Sequence, residues 1–189
     1  MEDASAWEWA LLVGGFLVIS LVPALAWHRR ILKRWRTAAA ATGLTLTGAK
    51  QIKARVPGGA LEAGEGSRIV YLSSDLPEQV VTSVVGFLDT EPPEFFVAST
   101  DGSPVGGSPF TTGDDDFDKV VVVGAKDAEA GQAYLTPRRR KALLEFFTAL
   151  PRGGLAGRRV GYARDGRMGT DELTRTLRAV KNVLEGLQG

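Results

Sequence analysis

The sequence predicts the α+β class: an N-terminal transmembrane helix, then an antiparallel sheet with two C-terminal helices packed on one face. Three observations predict it. A charge-free apolar run opens the chain, short β-branched runs separated by Gly, Pro, Asp and Ser fill its middle, and two amphipathic helical repeats close it. A length of 189 residues suits one domain plus an anchor. The expected divisions are a short tail (1–9), a transmembrane helix (10–27), a basic juxtamembrane helix (28–43) and a soluble α+β domain (44–189).

Ala10 to Ala26 reads ALLVGGFLVISLVPALA, without a charge. Trp7 and Trp9 stand at one edge and Trp27 at the other, where amphipathic rings favour a bilayer interface. A helix from Trp9 to Trp27 is about 28 Å long, against a hydrocarbon core of roughly 30 Å. A buried core helix is the ordinary alternative, but a small domain rarely holds a helix that is apolar all round. Ala24-Leu25-Ala26 resembles a signal-peptide cleavage site, yet the preceding MEDASAWEW has acids and no basic side chain, against that pattern. An uncleaved anchor is the expectation. Pro23 predicts a kink near its second end. Gly14-Gly15, and Ser20 with Ala24, give a faint signal for close approach of another helix.

Beyond Trp27 comes HRRILKRWR. Its Arg29, Arg30, Lys33, Arg34 and Arg36 contrast with Glu2 and Asp3 ahead of Trp7. The positive-inside rule puts this basic flank in the cytoplasm, so the expected location is the inner membrane with the N-terminus outside and the C-terminal domain cytoplasmic. The membrane-interface residues are then Trp7, Trp9, Trp27, Arg29, Arg30, Lys33, Arg34 and Arg36. Trp27, Ile31 and Trp35, with Leu32, form a stripe that can lie on anionic headgroups. The plainer account is that the charges only stop the anchor from translocating. Ala38 to Ala41 extend the helix and Gly43 stops it.

Strands are expected at Leu44–Thr47, Gln51–Val56 (ended by Pro57-Gly58-Gly59), Ser67–Ser74, Gln79–Leu88, Glu94–Ser99 and Lys119–Val123, the last covered on both faces. Ser99 to Asp116 reads as a long connection. Asp127 to Tyr134 is a short helix. Thr136 as N-cap and Pro137 at the first position start a helix whose Leu143, Leu144, Phe147 and Leu150 share a face, with Gly153-Gly154 ending it. Leu155 to Ala163 reads as a strand and Arg164-Asp165-Gly166 as a turn. Thr170 or Asp171 caps a final helix to Leu187, striped by Leu173, Leu177, Val180 and Leu184.

The segment GDDDFDKVVVVGAKDAEAGQAYLTPRRRKALLEF, followed by a strand, a turn and a helix, resembles a group of uncharacterised bacterial single-pass membrane-anchored proteins. Gly113-Asp114, Phe117-Asp118, Val120 to Gly124, Leu135-Thr136-Pro137 and Arg138 to Lys141 carry the resemblance, which covers roughly residues 110 to 187. It implies the architecture and no particular activity. Frequent Ala, Gly and Arg beside scarce Lys and Asn fit a bacterial GC-rich background.

Chemistry is narrowed by what is missing. With no cysteine and one histidine, His28, the chain offers no disulfide, no thiolate zinc site and no multi-histidine metal site. Lys+Arg of 23 against Asp+Glu of 22 gives a net charge of +1, which does not call for nucleic acid. Asp114, Asp115, Asp116 and Asp118 lack the alternate spacing of a calcium loop, and a capping role is the simpler expectation. Arg138 to Lys141 begin a helix, where cations oppose its dipole, so either an anionic partner or nearby acids are expected to offset them. The glycines from Gly102 to Gly113 do not follow a phosphate-loop order. Phe95-Phe96 and Phe146-Phe147 read as core. No cofactor is expected. The expected partners are the lipid bilayer and an unidentified protein, for a cytoplasmic interaction or assembly module. The alternatives are a membrane-tethered carboxylate and metal enzyme, or a domain sensing anionic lipid through the two basic blocks.

Overall fold

The computed structural model describes residues 6–68, 79–100 and 107–188, with side chains in the first helix from Pro23 onward. That helix, α1 (Ala6–Thr42), runs unbroken through Pro23 for 37 residues, about 55 Å at 1.5 Å per residue. Gly43, at φ +69°, ends it. Among the described residues no helix is long and apolar enough to cross a membrane. Most of the expected span, residues 10–22, lies where side chains are outside the description, so the described residues do not themselves carry that expectation.

Nine strands among the described residues form one antiparallel sheet: β1 (Leu46–Gly48), β2 (Gln51–Val56), β3 (Gly59–Arg68), β4 (Gln79–Leu88), β5 (Val97–Ser99), β6 (Ser108–Phe110), β7 (Val122–Ala125), β8 (Gly154–Ala156) and β9 (Arg159–Asp165). Their order is β1-β2-β3-β4-β9-β8-β5-β7-β6. The helices are α2 (Asp115–Asp118), α3 (Ala128–Tyr134), α4 (Pro137–Ala149) and α5 (Thr170–Leu187). The α+β class, the antiparallel sheet and the C-terminal helices are therefore as the sequence predicts.

Strand alternation shows which face is covered. Ile52, Leu61, Ala63, Thr82, Val84, Leu88 and Val160 share one face and are buried, while their neighbours Lys53, Arg55, Glu62 and Arg159 on the other face are exposed. α5 lies on the buried face across β2, β3, β4 and β9, and α4 and α1 flank it. Its approach to β4 requires Gly86, since a Cβ there would stand 2.9 Å from the Leu184 side chain.

α1 is part of this core. Trp35 is fully buried, and Ile31, Ala38 and Ala39 are buried with it. Lys181 Nζ on α5 donates to the Thr42 carbonyl at 3.4 Å, and Arg167, just ahead of α5, covers Trp27. The two helices thus run parallel, side by side. The expected amphipathic stripe is real, but Ile31 and Trp35 face the domain instead of headgroups. Burying a Trp against a sheet and a second helix removes far more apolar area from water than laying its edge on an interface.

Several element boundaries differ from expectation. β3 is a ten-residue strand at Gly59–Arg68, where the sequence pattern suggested a start only at Ser67. Of the expected strand Ser67–Ser74, residues 69–74 lie outside the described residues. Glu94 and Phe95 form a turn, Phe95 at φ 56° and 55% exposed, so Phe95 is not core although Phe96, Phe146 and Phe147 are. The run after Asp116 winds into a helical turn before β7, because Asp114 caps it at Phe117 N (3.2 Å), and the strand starts at Val122. Leu155 to Ala163 is a hairpin turning at Gly157, φ 52°. Neither Thr170 nor Asp171 caps α5: Gly169 holds the N-cap position with no side-chain bond. The long connection from Ser99 contains β6 and α2, with residues 101–106 outside the described ones.

Candidate functional site

The chemistry-bearing residues gather at the end of the domain where α1 enters it. Pro23 to Arg30 are all exposed, Leu25 at 56% and Trp27 at 51%, and burial begins at Ile31. Trp7 and Trp9 belong to α1, and their side chains lie outside the described residues. Arg29, Arg30, Lys33 and Arg36 are exposed. Arg34 turns inward and forms an ion pair with Glu65 of β3.

Glu65 is the centre of the site. Its side chain is 1% exposed and takes three cations: Arg34, Lys50 Nζ at 3.3 Å and Arg167 Nε at 2.9 Å. Strand parity explains its position. Glu65 follows Leu61 and Ala63 on the buried face and pairs with Thr82, so a carboxylate is forced toward α1. Burial raises its pKa, but the Arg167 hydrogen bond, the Arg34 charge and the bonds from Arg34 and Lys50 more than offset this, and the net shift is downward. The Arg167 guanidinium also lies 4.8 Å from the centre of the Trp27 ring, a cation–π contact that ties the β9–α5 connection to the exposed part of α1.

The other two sequence clusters are engaged within the fold. Asp118 accepts from Thr112 N (3.0 Å), Thr112 Oγ1 (2.8 Å) and Gly113 N (3.2 Å). Asp114 caps α2 and pairs with Arg140 Nε at 3.2 Å, and Asp116 pairs with Lys119. Among the described residues no group of three acids or histidines could hold a metal ion. The arginines that begin α4 fold back over the C-terminal ends of other helices. Arg138 donates to Glu185 O (3.3 Å) and Arg139 to Leu187 O (3.1 Å), both on α5. Arg139 also donates to Tyr134 O (2.9 Å), and Arg140 to Leu135 O (3.1 Å), at the end of α3. A cation unfavourable at one helix start is thereby placed at two helix ends, where orphan carbonyls and the dipole favour it. Arg139 also covers the Tyr134 ring at 4.3 Å, and burial pushes the Tyr134 hydroxyl pKa up.

Of the eight interface candidates, the structure brings Trp27 and Arg34 into one cluster. Glu65, Lys50 and Arg167 complete it and were not legible as site residues. The available signal was Glu65 at an inward strand position, readable only once β3 is recognised. No family model, no curated protein and no solved structure matches the chain.

Proposed function

We propose that the chain is a single-pass inner-membrane protein whose α1 helix both anchors it and seats an α+β interaction or assembly module at the cytoplasmic surface. The observation that carries this is the change in burial along one continuous helix. Leu25 and Trp27 are more than half exposed, whereas one turn later Ile31 and then Trp35 are core. Exposed Leu and Trp, continuing a charge-free run toward the N-terminus, suit a lipid environment, and the exposed Arg29, Arg30, Lys33 and Arg36 suit the cytoplasmic boundary.

Because α1 continues unbroken from the exposed Leu25 and Trp27 to the buried Ile31 and Trp35, the domain does not hang on a flexible linker. Its orientation to the bilayer follows from the helix. A fixed orientation suits a module that presents one surface to partners, and the sheet face away from the helices offers one. There Val85 and Phe87 are half-buried beside Gly161 and Arg159, and an open depression of about 530 Å³ is lined by Val85, Gly161, Ala163 and Arg152.

The test is alkaline carbonate extraction of the full-length chain, combined with protease treatment of spheroplasts carrying a C-terminal tag. A full-length chain that stays in the membrane pellet with its tag protected is the expected result. Release into the supernatant, or a digested tag, would overturn the anchor or its orientation respectively.

A further inference from the structure

We infer that Lys50 and Arg167, gathered with Arg34 around the Glu65 carboxylate, together with the exposed Arg30 one turn ahead of Arg34 on α1, form a binding site for the phosphodiester headgroup of an anionic lipid. This rests on the membrane placement proposed above and adds a ligand to it. The second basic block has no part in it, because Arg138, Arg139 and Arg140 are engaged with helix-end carbonyls.

Charge balance is the first ground. Three cations converge on a single carboxylate, so among the described residues the cluster keeps a positive excess that Glu65 does not neutralise. Arg34 is held inward. Lys50 and Arg167 are each about one-third exposed, with 35% and 36% of their side-chain surface open, so they present charge outward while Glu65 fixes their inner ends. Position is the second. Trp27, Arg30 and Arg34 recur at helical spacing on one side of α1, and Arg167 covers Trp27. The excess charge therefore sits beside the exposed Leu25 and Trp27, at the depth where lipid phosphates lie if Trp27 marks the interface. Preorganisation is the third. Lys50 and Arg167 are already ordered by Glu65, and Arg167 is also stacked on Trp27, so binding would immobilise little of these two that is not already fixed. A zwitterionic lipid brings its own ammonium and gains less from a site with surplus positive charge.

The experiment uses the full-length chain in mild detergent with equimolar phosphatidylglycerol and phosphatidylcholine of matched acyl chains, counting retained lipid by native mass spectrometry. Wild type is expected to retain phosphatidylglycerol preferentially. Lys50→Gln with Arg167→Gln is expected to lower the preference, by about fivefold per cation removed. Lys50→Arg with Arg167→Lys keeps it, and Arg152→Gln with Arg159→Gln on the opposite sheet face leaves it unchanged. Arg30→Gln, which breaks no ion pair among the described residues, lowers it alone and covers the case in which the double variant does not fold. Absence of preference in wild type, or a preference that survives both Arg30→Gln and the Lys50/Arg167 variant, would overturn the site. Equal displacement by soluble glycerol phosphate would overturn the lipid as its ligand. Carbonate extraction of the same variants separates this from the anchor: a chain can remain in the pellet and lose its lipid preference.

Discussion

Arg34 of α1 and Glu65 of β3 stand 31 residues apart in sequence and share one buried ion pair, which Lys50 and Arg167 complete. This cluster locks α1 to β3 and to the connection that leads into α5. Removing one partner leaves charge uncompensated. Glu65→Gln leaves three cations facing one another and is expected to destabilise the fold by about 3–5 kcal/mol. Denaturant unfolding of the full chain in detergent, followed by Trp fluorescence, measures it. A loss under 1 kcal/mol would mean the cluster is incidental.

The same carboxylate sets an acid limit. Its pKa is lowered in the folded chain from a usual value near 4.5, so its contribution is complete above that value and is lost as pH falls through the lower, folded value. Stability is expected to drop on acidification below about pH 4.5, more steeply in wild type than in Glu65→Gln. Thermal melts of both chains from pH 7 to pH 3 provide the comparison, and parallel curves would contradict it.

Trp35 is the apolar half of the same lock. Trp35→Ala is expected to cost about 3–5 kcal/mol through lost burial and an unfilled cavity. Trp35→Phe should cost much less, because the indole Nε1 is buried without a hydrogen-bond partner among the described residues and Phe removes that donor. Equal losses for the two would show that the indole N–H has an acceptor.

At the other end, Arg139 joins the last carbonyls of α3 and α5 and stacks on Tyr134. Arg139→Ala is expected to cost about 1–3 kcal/mol, with amide exchange accelerated at the C-terminal turn of α5. Arg139→Lys should recover only part, since one ammonium cannot span both helix ends. Full recovery by Lys would reduce the role to charge alone.

Gly58 sits directly against the backbone of α5. It turns the β2–β3 hairpin at φ +84°, and a Cβ would stand 2.0 Å from the Leu184 carbonyl oxygen. Gly58→Ala is therefore expected to destabilise by about 1–3 kcal/mol, from backbone strain and overpacking together. Calorimetry would show it as a lowered melting temperature, and an unchanged one would mean α5 can shift freely.

The sequence made visible the elements whose local chemistry agrees with their place. β2, β4 and α4 with its Thr136 cap fall where periodicity and capping put them, and α5 falls where its apolar stripe puts it, although Gly169 and not Thr170 or Asp171 holds its N-cap position. β3 was hidden because Gly, Ala and Glu have poor strand propensity, and only pairing on both sides with β2 and β4 makes that stretch a strand. The cluster at Glu65 was hidden with it. The role of Arg138 to Arg140 was also illegible, since their acceptors at Tyr134, Leu135, Glu185 and Leu187 come together only after α3, α4 and α5 pack. In α1 the 31–35 stripe was visible, but an amphipathic stripe does not say whether lipid or protein covers it.

In the proposed placement, one rigid helix passes from lipid into the core of the domain. Since the chain has no cysteine, single spin labels can be placed without background. The most direct measurement is the accessibility of labels at Val18→Cys, Leu21→Cys, Leu25→Cys, Ala38→Cys and Ala39→Cys to oxygen and to an aqueous relaxant, with the full chain in liposomes. Labels at 18, 21 and 25 are expected to be reached by oxygen and not by the aqueous agent, and labels at 38 and 39 by neither. Aqueous access at 18 to 25 would contradict the anchor, and aqueous access at 38 and 39 would contradict the docked helix.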